Sequence, residues 1–570
     1  MSHSTDIGKP ITTDLPTYEE YKEAIEAKKN TAIGSIAPFI PSEYKRVALA
    51  NLSFFLVGLT YAFIRQFKEI LVLDTFQDAT VAIWLELLTF CASITILGVV
   101  NRIHAKHGVN RGTSMFILFF IGLYLAWGFL TVFDRFVIEK GVAQEIMSGS
   151  RWTIRGLNIF RQPLIMLNNL VMTLFYVILD SSTSFLIGCG YMMYFTANVT
   201  HEQMSRYIFL ILLGANASLF FSVFLAKFMA RLIDQRAIAS TKWIYYCASI
   251  CVASLFYGAL YFMKRLSDRE FRKPLYVGHV IGQQTPKAKT NVGLSQSLRI
   301  VCRTPWLLGM CLFAVAYNFA SAIDSVTSMY SFVAYSDFLQ QNPHMNRNPG
   351  QGDSSSALSS KYKSIECFLT SAISVYLMLV PVFKRIFGTV GILGFAAVVC
   401  AACTVPDFLI CLFSTINYPF THFGERSLFT FGINSATAYF EWEAFLVMTS
   451  NLLSKVGKYS FYDVIKESLS VKIDPEKRII YKGIFDGLAQ KIGKLLASIY
   501  VIVLVNVFHK NDVRYFAFLT FMIRAALFGL VFFMMIKVHA DYKRAVQNDT
   551  YLDNSGKSPV GDRLDSETVR

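Results

Sequence analysis

Long apolar runs, separated by short polar segments, recur along the whole chain. Only 16% of its 570 residues are charged and 54% are hydrophobic, whereas a soluble domain carries about 25% charged residues. A helix needs about 20 residues to cross a bilayer, and twelve runs qualify, at roughly 47–73, 79–100, 114–133, 164–195, 206–230, 243–263, 305–335, 362–383, 389–413, 435–453, 484–508 and 514–537. The pattern predicts an all-α polytopic membrane protein, with a fourth span long enough to tilt or to extend beyond the bilayer.

The twelve predicted spans form two groups of six. Between them lies a polar segment, 264–304, with nine lysines and arginines, and such a basic loop belongs on the cytoplasmic side. The predicted organisation is a cytoplasmic tail (1–45), a six-helix half (46–263), a cytoplasmic loop (264–304), a second six-helix half (305–537) and a cytoplasmic tail (538–570). This order is typical of the major-facilitator architecture, whose substrate site lies near the midplane between two pseudo-symmetric halves.

Charged residues inside the predicted spans indicate a polar cavity. Each charge at the centre of a span costs roughly 2.5–3.5 kcal/mol on insertion scales, so it is retained where it faces other charges or water. In the first span Arg65 and Lys68 lie at i,i+3 on one helical face. Both residue types suit phosphate, and Glu69 is placed to hold Arg65 when no ligand is bound. We therefore expect a carrier for a charged solute.

Other spans predicted to line the cavity carry polar residues as well. By analogy with the major-facilitator fold these are the fourth span with Asp180, the seventh with Asn318 and Asp324, and the tenth with Glu441 and Glu443. The eleventh span offers a second cationic stripe, Lys491 and Lys494 at i,i+3, preceded by Lys482 and Asp486. Lys482 either reaches the interface or pairs with Asp486. The sequence does not assign Glu86 and Glu366 to a particular face of their helices. For Arg524 a structural or interfacial role is favoured.

Several other functions find no support in the sequence. The string nearest to a P-loop, GLAQKIGKL at 487–495, has one residue too many and ends in Leu, so we expect transport driven by gradients or exchange and no ATPase motor. Cys400 and Cys403 have redox-pair spacing but lie inside an apolar run, which favours a structural role. We expect no enzyme activity, no cofactor, no metal site and no nucleic-acid binding. No signal or transit peptide is evident, so the first span is expected to act as the signal anchor.

Four stretches resemble one transporter family. RQFKEILV at 65–72 is similar to the family's L-R-x-x-K-D-x-L-V-V, and FYVILD at 175–180 to its F-Y-V-x-x-E. LGANASLFFS at 213–222 is similar to L-G-A-N-x-x-L-x-F-S, and NLLSKVGKYSFYDVIKE at 451–467 to N-x-F-S-K-x-x-K-Y-S-x-F-D-x-x-K-E. The family is that of the non-mitochondrial ATP/ADP translocases of intracellular bacterial parasites, plastids and microsporidia, and the chain looks closest to the microsporidian branch.

The resemblance implies exchange of ATP and ADP across a membrane, by which an intracellular parasite takes energy and nucleotides from its host. It also implies charged determinants in the first, fourth, seventh and eleventh spans, carried here by Lys68, Asp180, the seventh-span site and Lys494. Asp180 replaces the family's Glu. In the seventh span the family's Glu aligns with Ser325, and the carboxylate lies one position earlier at Asp324. That is a shift of about 100° around a helix, so use of other purine nucleotides such as GTP is expected.

The resulting hypothesis is a monomeric, alternating-access nucleotide exchanger in the plasma membrane, with a reduced mitochondrion-like organelle as the alternative location. Arg65, Lys68, Lys491 and Lys494 are predicted to bind phosphates. Asp180 and Asp324 are predicted to pair with these cations in the empty carrier. The predicted base or ribose contacts are Asn216, Tyr317 and Asn318, and the predicted gating pairs involve Glu69, Lys482 and Asp486. Two alternatives are a proton-coupled permease for another organic solute, with Asp180 and Asp324 as proton sites, and a receptor or scaffold without transport.

Overall fold

The computed structural model describes most of the chain. The described residues are 15–29, 39–72, 76, 81–137, 161–184, 190–199, 201–234, 242–277, 299, 301–342, 355–379, 381–422, 425–429, 437–473, 481, 483–508, 510, 512–548 and 550–552. Within these ranges the regular elements are all helical, in agreement with the predicted all-α class.

Fifteen α-helices of seven residues or more make up the described part. They are α1 (Tyr18–Lys29), α2 (Pro41–Leu71), α3 (Val81–Val137), α4 (Arg161–Asn168), α5 (Leu170–Ser184), α6 (Met192–Asn198), α7 (His201–Asp234), α8 (Lys242–Phe271), α9 (Pro305–Gln341), α10 (Ser355–Leu379), α11 (Pro381–Thr421), α12 (Phe440–Val456), α13 (Asp463–Val471), α14 (Ala489–Phe508) and α15 (Ala517–Gln547). Two π-helical segments, Gly457–Tyr462 and Gly483–Leu488, precede α13 and α14. Such segments often occur at functional sites.

Seven helical segments of the described chain are long and apolar enough to cross a membrane. A bent pair, Gln162–Asn168 and Leu170–Thr183, adds an eighth. The pair corresponds to the fourth predicted span, which bends by 99° instead of running straight. The second and third predicted spans meet at Gly108, whose positive φ of 78° separates the two parts of α3. The chain is therefore a multi-pass membrane protein.

The apolar core consists mainly of two clusters, one from the first half of the sequence and one from the second half. One buried cluster draws its residues from 39–271 together with Met329, and a second draws them from 301–552. Within the first, α2 packs on α7 and α8; within the second, α9 packs on α14 and α15. Between them α7 packs along α10, and α3 packs against α14. We call α2–α8 the N half and α9–α15 the C half.

The short helix α1 packs on the end of the N half. Tyr21 and Ile25 are buried against Leu275 and its neighbours, and the Tyr21 hydroxyl donates to Glu43 over 2.6 Å. Glu43 also accepts both terminal nitrogens of Arg206 at 2.8 Å. Burial raises the pKa of Tyr21 to about 12. The cluster joins α1, α2 and α7.

Gly493 allows α14 to approach α9 at the level of the cavity described below. A Cβ at this position would lie 2.4 Å from the Val315 carbonyl oxygen and 3.0 Å from the Asn318 Cβ. Because the nearest atom belongs to the backbone and cannot rotate away, a side chain at position 493 forces the two helices apart.

We expect Gly493→Ala to lower the thermal midpoint of the purified protein and to reduce transport, since overpacking typically costs about 1–3 kcal/mol. Gly529→Ala on α15 is the matched control, because a Cβ there meets nothing within 4 Å. Melting curves of the three proteins in detergent test this expectation. Equal midpoints for Gly493→Ala and Gly529→Ala would show that the close approach is not required.

Candidate functional site

A cavity of about 350 Å³ lies between the two halves, within the range of about 300–1,000 Å³ usual for small-molecule sites. Its walls come from α2, α3, α5 and α7 of the N half and from α9, α14 and the segment around 458–467 of the C half. Six cationic and four acidic side chains line it: Arg65, Lys68, Lys458, Lys466, Lys491 and Lys494, against Glu86, Asp180, Asp463 and Glu467. The described lining therefore has two positive charges in excess, which favours an anionic ligand.

Five of these side chains form one network, which we call the charge cluster: Lys68, Glu86, Asp180, Lys491 and Lys494. The Lys68 ammonium lies 2.9 Å from Glu86 and 2.8 Å from Asp180. Lys491 lies 3.0 Å from Asp180. Lys494 lies 3.2 Å from Glu86 and 3.6 Å from Asp180. Each lysine thus has a carboxylate partner, and the cluster as a whole carries one positive charge.

Aromatic side chains complete the surroundings of the cluster. The Tyr176 hydroxyl donates to Glu86 over 3.3 Å, and its ring lies 4.8 Å from the Lys68 ammonium. Elsewhere in the cavity the Lys458 ammonium lies 5.3 Å from the Tyr317 ring and 5.7 Å from the Tyr459 ring. Aromatic faces beside cations provide surfaces on which a flat ring can stack.

Most of the sequence-predicted binding residues meet in this cavity. Arg65, Lys68, Asp180, Asn216, Tyr317, Asn318, Lys491 and Lys494 all line it. The Asn318 amide nitrogen is engaged with the Ala314 carbonyl oxygen at 2.8 Å. Of the predicted gating residues, Lys482 and the side chains of Glu69 and Asp486 lie outside the described part of the chain.

Asp324 is the exception, and the prediction that it pairs with the cavity cations is wrong for this structure. Its carboxylate accepts two bonds from Arg524, at 2.5 and 3.1 Å, inside the C half. Arg524 also lies 2.6 Å from Asp407. The neighbouring positions Ile323 and Ser325 face the cavity. Because one residue turns a helix by about 100°, the carboxylate at 324 points into the C half, and a serine occupies the cavity face.

The tenth-span acids Glu441 and Glu443 were expected to line the cavity, but Glu441 is exposed and neither belongs to the lining. Glu443 is fully buried and accepts hydrogen bonds from Ser331, Ser414 and Asn417. It therefore ties α9, α11 and α12 together within the C half. The cavity is lined instead by residues that follow α12 in the sequence, between Lys458 and Glu467.

Glu86, Lys458 and Lys466 are cavity residues that were not predicted as such. Lys458 and Lys466 belong to the 451–467 stretch that carries the family resemblance, and this was an available signal. For Glu86 the only signal was one acid in an apolar run. Glu366 pairs with the buried Lys455 inside the C half.

An apolar cluster joins the two halves beside the cavity. Ile83 of α3 packs there with residues of the C half, namely Phe319, Ile323, Val326, Ala497, Val501 and Val513. Five of these, Ile83, Ile323, Val326, Ala497 and Val501, also line the cavity. The cluster therefore connects the start of α3 to the middle of α9 and the middle of α14.

Comparison with known proteins identifies the family. The sequence profile of the TLC ATP/ADP transporter family matches residues 23–334, which is more than half of the chain. The chain belongs to this family. The TLC match confirms the family expected from the four sequence stretches, and with it a transporter of the nucleotide-exchanging kind.

Several TLC relatives align over nearly the full length. The chain is 24% identical to "ADP,ATP carrier protein 1" of Encephalitozoon cuniculi, over 95% of this chain and 94% of the relative. It is 23% identical to the protein of the same name from Paranosema grylli, over 95% of both chains. For that of Chlamydia muridarum the identity is 21% over 80% of this chain and 81% of the relative.

Solved structures of other transporters show more distant likeness. A point mutant of the nucleoside transporter NupG aligns with a TM-score of 0.46 at 10% identity, over 86% of this chain and 99% of NupG. A bacterial homologue of the iron transporter ferroportin, in an outward-facing state, aligns with a TM-score of 0.48 at 12% identity, over 88% and 100% of the two chains.

Proposed function

We propose that this TLC-family chain is a carrier, not an enzyme, that exchanges ATP for ADP by alternating access. The observation that carries the proposal is the charge cluster: three lysines converge in a cavity between the two halves, and among the described residues two carboxylates hold them. The nucleotide's phosphates would bind there.

The phosphates would replace Glu86 and Asp180 as partners of Lys68, Lys491 and Lys494. Charge-assisted hydrogen bonds to phosphate are about twice as strong as neutral ones, and the triphosphate brings more oxygens than two carboxylates do. Arg65 would provide a further cation. The base and ribose would lie toward Asn216, Tyr317 and Asn318, which line the same cavity.

The apolar cluster bears on access to the cavity. In the predicted topology α3 begins on the outer side, so the contacts of Ile83 with the C half would hold the two halves together nearer that side in this conformation. We place the carrier in the plasma membrane of an intracellular parasite, with both termini cytoplasmic, importing host ATP. A mitochondrion-like membrane is the alternative location.

The serine at 325 bears on substrate range. It leaves the cavity wall of α9 without a carboxylate at the position where the family resemblance implies a glutamate. A less restrictive wall would accept other purine nucleotides, GTP among them. We expect unlabelled GTP to compete measurably with labelled ATP for uptake, and Ser325→Glu to weaken that competition relative to ADP.

The proton-coupled permease is not favoured. It required Asp180 and Asp324 as proton sites, and both carboxylates lie in ion pairs, with lysines and with Arg524 respectively. The match to a family of ATP/ADP transporters favours nucleotide exchange instead.

The proposal is tested by uptake of α-labelled ATP into bacteria that express the full chain, followed by a chase. The chase contains unlabelled ATP, ADP, GTP or no nucleotide. We expect rapid loss of label only with nucleotide outside, with ATP and ADP among the effective chasers. Absence of uptake by protein that is present in the membrane would overturn the proposed function.

A further inference from the structure

The charge cluster does more than line a site, because it joins the two halves. Lys68, Glu86 and Asp180 belong to α2, α3 and α5, all in the N half. Lys491 and Lys494 belong to α14 in the C half. The contacts Lys494–Glu86 at 3.2 Å and Lys491–Asp180 at 3.0 Å therefore cross the interface between the halves.

These contacts are costly to break in the absence of nucleotide. Within the cluster the N half carries one lysine and two carboxylates, and the C half carries two lysines. Separation of the halves at this level would leave opposite net charges unpaired. The side chains of Lys68, Glu86, Asp180 and Lys491 are no more than 16% exposed there, and that of Lys494 is 28% exposed. Removing one partner from a buried ion pair is strongly unfavourable.

We propose that Glu86 is the positioning residue that makes exchange obligatory. It holds Lys494 across the interface in the empty carrier, so that the empty carrier does not reorient. The inference rests on the proposed function and adds to it the reason why a nucleotide must return. Bound phosphates supply Lys491 and Lys494 with new partners, so the loaded carrier changes conformation without leaving lysines unpaired.

Glu86 suits this role better than Asp180. Asp180 contacts all three lysines, so its loss would also disturb how they are arranged for phosphate. Loss of the Glu86 charge leaves Lys68 and Lys491 paired with Asp180, and leaves Lys494 with its longer contact to Asp180 at 3.6 Å. Glu86→Gln therefore weakens the contact between the halves while Asp180 still holds the three lysines.

The experiment uses the purified full chain in liposomes loaded with α-labelled ATP. Efflux is measured with and without unlabelled ATP outside. We expect wild type to lose label slowly without external nucleotide. Glu86→Gln should lose it about tenfold faster, which corresponds to about 1.4 kcal/mol of barrier, so that the ratio of efflux with external ATP to efflux without it falls. Glu86→Asp, which keeps the charge with shorter reach, should lie between the two.

Asp541→Asn is the matched control, since Asp541 lies 4.0 Å from the exposed Arg544, three residues away within α15, and links no halves. It should behave as wild type. If the wild type exchanges nucleotide and the Glu86→Gln carrier still requires external nucleotide for efflux, the inference is overturned and the proposed function stays intact. A Glu86→Gln protein present in the liposomes but inactive under both conditions would also overturn it. Absence of exchange by wild type would instead overturn the proposed function.

Discussion

Lys68→Gln and Lys494→Gln are each expected to lower ATP uptake by about 100-fold or more while the protein remains in the membrane. A hydrogen bond to a charged group contributes about 1.5–3 kcal/mol, and every 1.4 kcal/mol is about tenfold in affinity. A lysine with two phosphate contacts therefore accounts for a loss of this size. Glutamine keeps much of the side chain's length but removes the charge. Uptake of α-labelled ATP, normalised to the amount of carrier in the membrane, gives the measurement.

Two controls separate phosphate binding from the neutralisation of Glu86. Lys537→Gln removes an exposed lysine on α15 and should leave uptake unchanged. In the double variant Glu86→Gln/Lys494→Gln the Lys494–Glu86 contact is removed with both its charges. If Lys494 served only to neutralise Glu86, the double variant would recover uptake. We expect no recovery, and normal uptake by both single lysine variants would contradict the phosphate assignment.

The helical architecture could be predicted from local sequence because each span is a long apolar run, and such a run has few stable alternatives in a bilayer. The bend in the fourth span was harder to foresee. It occurs at Asn169, whose side chain donates to the Ile165 carbonyl oxygen four residues earlier. Hydropathy reports how apolar a segment is, and it does not report where the axis turns.

Lys68 and Lys494 could be found because their helical spacing and the motifs around them agree. Glu86 could not, since its partners are distant in sequence: Lys68 lies 18 residues away and Lys494 lies 408 residues away. A single acid in an apolar helix has an identifiable role only once the opposite wall of the cavity is in place.

Asp324 shows both the strength and the limit of periodicity. The one-residue offset from Ser325 predicted a different direction for the carboxylate, and the structure agrees. The same sequence gave no indication that Arg524, 200 residues later, would face it. The further expectation that Asp324 pairs with the cavity lysines therefore failed.

Arg524→Gln is expected to destabilise the protein severely, by about 3–5 kcal/mol, the range seen when one member of a buried ion pair is removed. The Arg524 side chain is 5% exposed, and those of Asp324 and Asp407 are 5% and 4% exposed. Without the guanidinium, the carboxylates of Asp324 and Asp407 lose the cation that pairs with both of them. The thermal midpoint in detergent and the amount of protein in the membrane should both fall sharply.

A triple variant tests whether charge is the cause. Arg524→Gln combined with Asp324→Asn and Asp407→Asn removes all three charges while nearly preserving side-chain volume, so we expect it to recover much of the lost stability. If the triple variant is as unstable as Arg524→Gln alone, the guanidinium acts through its shape and its bond to the Cys403 carbonyl oxygen, not through its charge. If Arg524→Gln melts like wild type, the cluster does not stabilise the C half. Because these residues lie outside the cavity of the charge cluster, a folded triple variant should still exchange nucleotides, whereas the Lys494 variant should be folded and inactive.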